Sequence, residues 1–230
     1  KLGFAIPLGG TTLFFRRNAL EEIGGWDAHN VTEGADLDIR LARLGYRTEM
    51  VDTVTHEEAN ARTVPWIRQR SRWLKGYAIT YAVHMRNPRR LWRDLGAWRF
   101  FGVQVVFLCT LSPFLLAPLL WSFWLLVLGL PHFMTSLVGP IGLSALAGIF
   151  FMCELVSLAV VGFALHGMGR RWLLPWVPAL HLYFPLAALA AYKAFYELLA
   201  KPFYWDKTNH GIFDETCPLP EGEEPKPNAL

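Results

Sequence analysis

Between residues 100 and 200 the chain carries only a handful of charges, an apolar stretch too long for the core of a soluble protein of 230 residues. Composition agrees, with 53% hydrophobic residues, 10 Trp, 16 Phe and a mean hydropathy of +0.26. Residues 1–99 mix charge and apolarity in globular fashion, so the pattern predicts a soluble part followed by a membrane part. Three apolar segments, at roughly 100–130, 139–165 and 173–199, are each long enough to cross a hydrocarbon core of about 30 Å. Pro113 and Pro118 are expected to kink the first of them.

Charge is placed to match. The net charge is only +3, but residues 62–99 hold ten Lys or Arg and a single acid, Asp94. A basic belt directly before a long apolar run fits anchoring on anionic membrane lipid at a cytoplasmic face better than nucleic-acid binding. Arg170 and Arg171 would cap a returning second span on the same side, and a third span would then export the tail. Cys109, Cys153 and Cys217 lie too far apart for a disulfide framework or metal-ligand spacing. The first residues lack the charged region and apolar core of a signal peptide, and the chain is expected to begin in mid-domain.

Local pattern adds detail. Residues 3–15 read as a Gly-rich loop feeding a strand, and 16–23 as a short helix stopped by Gly24 and Gly25. Leu37, Leu41 and Leu44 recur at helical spacing over 32–45, with acids crowding the first turn and Gly45 at the end. A strand is predicted over 46–55. An amphipathic, interfacial helix with Trp66, Trp73 and Tyr77 is predicted over 65–85, followed by a break at Asn87 and Pro88. Residues 218–230, rich in Pro and Glu, read as disordered. Among polar residues inside the apolar segments Glu154 stands out, because an ionisable group at mid-span must face protein or a polar pore. Trp121, Phe123, Trp124, Phe150 and Phe151 would line such a pore or equally face lipid.

Two clusters carry candidate chemistry. Glu33 and Asp36 stand three residues apart at a helix start, where the dipole stabilises carboxylates that can deprotonate an acceptor hydroxyl. The same acids, behind Thr32 as N-cap, would also serve merely to improve the helix start. Gln69, Arg70, Arg72 and Trp73 place an amide, two cations and an indole within five residues, suited to phosphate and to stacking on a sugar or base. An ordinary basic amphipathic helix would show the same composition.

Taken in order, the motifs are more specific. Gly-Gly-Thr with Phe-Phe-Arg-Arg over 9–17 leads to Gly-Gly-Trp-Asp at 24–27 and Thr-Glu-x-x-Asp-Leu at 32–37. Arg-Leu-x-x-x-Gly-Tyr at 40–46, His-Glu-Glu-Ala at 56–59 and Gln-Arg-x-Arg-Trp at 69–73 precede the apolar segments. Pro-Phe-Tyr-Trp-Asp-Lys-Thr-Asn-His-Gly at 202–211 follows them. This series resembles the membrane-bound family 2 glycosyltransferases, the group that includes cellulose synthase and related processive polysaccharide synthases, down to about Phe213.

The resemblance implies an α/β fold class: residues 1–61 as the C-terminal half of a GT-A type, Rossmann-like domain, 62–99 as basic interfacial helices and 100–200 as about three transmembrane helices. Residues 201–230 would hold a gating-loop-like segment and the tail. It implies a bacterial-type inner (plasma) membrane protein, multi-pass, with its catalytic part cytoplasmic. The implied reaction is inverting transfer from a nucleotide sugar, a UDP-sugar by analogy, to a glycan acceptor, processive and coupled to translocation. A non-catalytic membrane subunit, or a non-processive transferase to a lipid or short acceptor, is the alternative.

The implied substrate-binding residues are Gln69, Arg70, Arg72 and Trp73, Gly10 and Thr11 of the Gly-rich loop, and Lys207 and Thr208 near the donor diphosphate. Mg2+ or Mn2+ is implied as cofactor, its ligands expected in a donor-binding half preceding Lys1. Gly34 stands where the family has its catalytic Asp. The base then falls to Glu33 or Asp36, with preference for Asp36. A gating role for 205–211 needs a cytoplasmic location, in conflict with three simple spans, unless 173–199 is not one straight crossing. The competing reading of Phe203, Tyr204 and Trp205 is a juxtamembrane aromatic anchor.

Overall fold

The computed structural model describes residues 3–5, 12–27, 33–49, 51, 60, 62–202 and 204. Helices dominate them: α1 (Arg17–Glu22), α2 (Glu33–Arg43), α3 (Thr63–His84), α4 (Pro88–Leu115), α5 (Ala117–Ser122), α6 (Trp124–Val127) and α7 (Thr135–Gly167). A 3-10 segment (Arg171–Tyr183) and α8 (Phe184–Ala200) complete the order.

The expected α/β, Rossmann-like class is therefore corrected, because among the described residues there is no strand. Residues 12–16 and 46–49 are non-helical, as their β-prone side chains suggest, but among the described residues they pair with nothing in a ladder. Strand propensity states a local preference; a strand exists only when neighbouring chains take up its N–H and C=O groups. The remainder of the two stretches predicted as strands lies outside the described residues, as do 56–59 and 218–230.

α2 forms where its leucine spacing predicts, and its apolar face is almost fully buried through Ala35, Leu37, Ile39, Leu41 and Ala42. Leu37 and Leu41 pack with Ala19 of α1 and with Ile23, which ends it, while Ala35, Ile39 and Ala42 join Leu91, Leu95, Val103 and Phe107 of α4. Polar ties set its position. Arg40 donates to the carbonyls of Ile23 and Gly25, the second at 2.9 Å, and so caps the C-terminal end of α1. Arg43 pairs at 2.7 Å with Asp94, the one acid of the basic belt, and joins α2 to α4.

α3 forms over the stretch where a helix is predicted. Its buried residues are Ser71, Leu74, Lys75, Gly76, Thr80 and His84, mostly polar, because it packs against α2, α4 and α8 at once. The most extensive helix pairing of the fold is α3 with α8. Ala190, Ala191 and Ala194 of α8 are buried against Leu74, their small side chains allowing close approach.

The predicted break at residues 87–88 is a helix start: the Asn87 side chain accepts from the Arg90 N–H at 3.0 Å, and Pro88 occupies the first turn. Gly96, at φ 75° and ψ 168°, interrupts α4 in a conformation that only glycine adopts freely. The basic piece 88–95 is thereby set off from the apolar piece 97–115. Phe4 lies on α4 with its ring 5.0 Å from that of Trp98, and a Cβ on Gly102 would come within 2.6 Å of the Phe4 ring.

Two helices, Pro88–Leu115 and Thr135–Gly167, are long and apolar enough to cross a membrane. α7 leaves Leu137, Ile141, Ile149, Phe163 and other large apolar side chains exposed, a surface that suits hydrocarbon and not water. The apolar stretch beyond Pro113 breaks into the short helices α5 and α6. The third apolar segment is not one straight crossing: Pro175 and Pro178 lie in the 3-10 segment, and α8 departs from it at 56°. Glu154 of α7 meets His181 of the 3-10 segment at 3.5 Å, the protein partner that a mid-span carboxylate requires. Trp124 packs edge-on against Phe150 and His181 beside this pair.

Substituting Gly102→Ala is expected to dislodge Phe4 from α4 and cost about 1–3 kcal/mol. Thermal unfolding of the detergent-solubilised protein would register this as a lowered midpoint, with Gly148→Ala, where added bulk meets nothing, as the unaffected comparison.

Candidate functional site

Sequence places the acidic cluster on α2 and the Gln-Arg-x-Arg-Trp cluster on α3, and the two fare differently. Asp36 is buried, at 4% exposure. Its Oδ1 lies 2.8 Å from Nε2 of His84 on α3, and its Oδ2 accepts from Arg40 one helical turn along at 3.4 Å. Burial alone raises the carboxyl, but the His84 hydrogen bond and charge, then those of Arg40, outweigh it and hold Asp36 below its ordinary value. Asp36 is thus an ionised, enclosed, doubly held carboxylate. Nδ1 of His84 is buried and makes no hydrogen bond among the described residues. Glu33 opens α2 at its first residue, and its side chain lies outside the described set. Asp38, also buried, accepts from the Thr48 hydroxyl and pins the chain leaving α2.

Within α3 the motif residues occupy its N-terminal half. Gln69 accepts from the Asn60 side chain at 3.0 Å. The Arg70 guanidinium stands 4.7 Å from the Trp73 ring centroid and 5.4 Å from that of Trp66, a cation lying across two indoles. Trp73 is 40% exposed, and Arg72, half-buried, immediately precedes it. An exposed guanidinium flanked by indole faces suits a phosphate beside a sugar ring, the first held by charge-assisted hydrogen bonds and the second by stacking.

Asp36 and Trp73 are not brought together. His84, which touches Asp36, is eleven residues from Trp73, or about 16 Å along the helix at 1.5 Å per residue. Gly10, Thr11, Lys207 and Thr208 lie outside the described residues. No group of three or more His, Cys, Asp or Glu side chains converges among the described residues, so they do not fit a divalent metal site.

Sequence reading missed His84 and Lys75. His84 sits in the last turn of α3, where a histidine reads as a favourable charge for the helix end. Lys75 reads as one more cation of the basic belt, yet it is buried to 1% exposure and its Nζ donates to the carbonyls of Lys201 at 2.8 Å and Tyr204 at 3.0 Å.

His84→Ala should cost about 3 kcal/mol at neutral pH, the low end for breaking a buried pair because Arg40 remains. In the intact protein the stability supplied by Asp36 is present above its ordinary value of 3.8 and is lost as pH falls through its lower folded value. Without His84 burial weighs more, the folded value rises, and loss on acidification should begin at higher pH. Unfolding midpoints measured across pH for both proteins check this.

No solved structure matches the chain. Among curated proteins, a probable glycosyltransferase, YdaM, from Bacillus subtilis (strain 168) is 37% identical over 68 residues, 29% of this chain and 16% of its own length. Cellulose synthase 1 catalytic subunit (UDP-forming) from Komagataeibacter xylinus is 31% identical over 109 residues, 47% of this chain and 14% of its own. The chain thus spans less than a fifth of either relative. The family described as glycosyl transferase family group 2 matches residues 1–192. The ordered motifs on α2 and α3 and this match over most of the chain agree: the chain belongs to glycosyl transferase family group 2.

Proposed function

We propose that this chain is the acceptor-side and membrane part of an inverting glycosyltransferase that extends a polysaccharide from a nucleotide sugar at the cytoplasmic face of a membrane. The observation that carries the reading is the Trp66–Arg70–Trp73 face, presented on a helix joined by a short turn to a helix of membrane-crossing length. A phosphate- and sugar-binding surface at that boundary meets a donor from the aqueous side and a glycan that leaves through or along the spans. The UDP-forming relatives favour a UDP-sugar as donor. Mg2+ or Mn2+ would be held by residues preceding this chain.

In the reaction an acceptor hydroxyl oxygen attacks the anomeric carbon from the side opposite the diphosphate. The bond to the leaving oxygen breaks, the nucleoside diphosphate departs, and the hydroxyl proton passes to a carboxylate. Asp36 is ill-suited to receive it, being enclosed and already committed to His84 and Arg40. That commitment supports Glu33, the other acid at the start of α2, as the base. The burial of Asp36, together with Gly34, also supports a second reading, a catalytically silent subunit of a polysaccharide synthase.

Sugar incorporation by membranes containing the full-length protein, assayed with a panel of labelled UDP-sugars and Mg2+ or Mn2+, separates the two. Glu33→Gln should lower the rate about 10²–10⁴-fold at unchanged protein level. Trp73→Ala should abolish product, whereas Asp36→Asn should lower the amount of folded protein more than the rate per folded molecule. Incorporation from no donor by the folded wild type would establish the silent subunit. Product length, polymer or single addition, decides processivity.

A further inference from the structure

The α3–α8 contact contains a buried polar cluster that the transfer reaction does not use. Lys75 reaches out of α3 to the end of α8, where the last carbonyls of a helix have no partners of their own and the dipole is negative. Its ammonium bridges the carbonyl of Lys201, the residue that ends α8, and that of Tyr204. The same short stretch is closed by the Tyr204 N–H donating to the Lys201 carbonyl at 3.1 Å and the Lys201 N–H donating to that of Glu197 at 2.8 Å. Lys193 and Glu197 of α8 act on the ammonium through their charges, and Leu111 and Leu115 of α4 line the same small cavity as Lys75. Lys193 is engaged by Glu197 and by the Ser71 hydroxyl at 3.3 Å. Burial, with the Lys193 charge adding to it, holds the Lys75 ammonium below its ordinary value, and the Glu197 carboxylate offsets only part of that.

A buried ammonium is expensive, and here it is spent on two backbone carbonyls at a chain exit. We infer that Lys75 is a positioning residue that tethers the chain leaving α8 to α3, two residues from Trp73, and so sets where the following segment starts relative to the substrate-binding face. The inference rests on reading Gln69 to Trp73 as that face. Both acceptors are main-chain atoms, so changes to the side chains at 201 or 204 leave the tether intact and only a change at Lys75 breaks it.

Hydrogen exchange read by mass spectrometry on the full-length protein in nanodiscs tests the tether without any assay of activity. In Lys75→Met the amides of Lys201 and Tyr204 should exchange at least tenfold faster, with 184–192 unchanged. Lys193→Met, which disturbs the cluster but spares both carbonyl bonds, should leave Lys201 and Tyr204 protected. Unchanged exchange at these amides in Lys75→Met, or acceleration spread equally over α3 and α8, overturns the tether. In an active preparation Lys75→Met should raise the KM for the nucleotide sugar about tenfold with kcat within twofold; local loosening with both constants unchanged overturns the positioning role. Absence of transfer in the wild type would count against the glycosyltransferase reading alone, since the exchange result stands without it.

Discussion

α3 buries an ammonium near its middle and an imidazole at its end, and a buried polar group must be paired. Lys75 finds the carbonyls of Lys201 and Tyr204 just past α8, and His84 finds the carboxylate of Asp36 on α2. Apolar packing alone tolerates a helix sliding by a residue; these directional pairings do not. α8 meets the first half of α3 and α2 the second, each in the register that satisfies the buried group. Arg40 and Arg43 then carry the constraint outward to α1 and α4.

The consequence for the membrane is geometric. α4 begins as a basic, Trp-bearing piece and bends at Gly96 into an apolar one, so a cationic turn leads directly into a helix apolar enough to cross a membrane. α7 turns large apolar side chains outward and contains a carboxylate only because His181 meets it. The 3-10 segment and α8 meet at a bend, and the Lys75 contacts hold residues 201 and 204 beside α3.

Chemistry follows the same division. The cations and indoles of α3 stand on the side that the buried polar groups leave free, with Trp73 exposed while Ser71, Leu74 and Lys75 turn inward. The acids at the start of α2 separate into an enclosed one that holds α2 to α3 and one at the helix terminus.

Much was legible in the sequence because it depends on local pattern. The apolar segments, the leucine stripe of α2, its stop at Gly45 and the order of motifs that marks the family are all periodicities and spacings within one stretch of chain. The α/β expectation failed at residues 12–16 and 46–49 because a strand depends on a partner that local preference does not supply. Only the tertiary structure decided that Lys75 and His84 are interior, that Asp36 is enclosed, and that Asp36 and Trp73 lie at different levels of α3. Burial and pairing are properties of two elements at once, separated here by 48 residues for Asp36 and His84 and by 126 for Lys75 and Lys201. No window along one segment contains both partners, so a buried lysine and an exposed one read alike until the helices are packed.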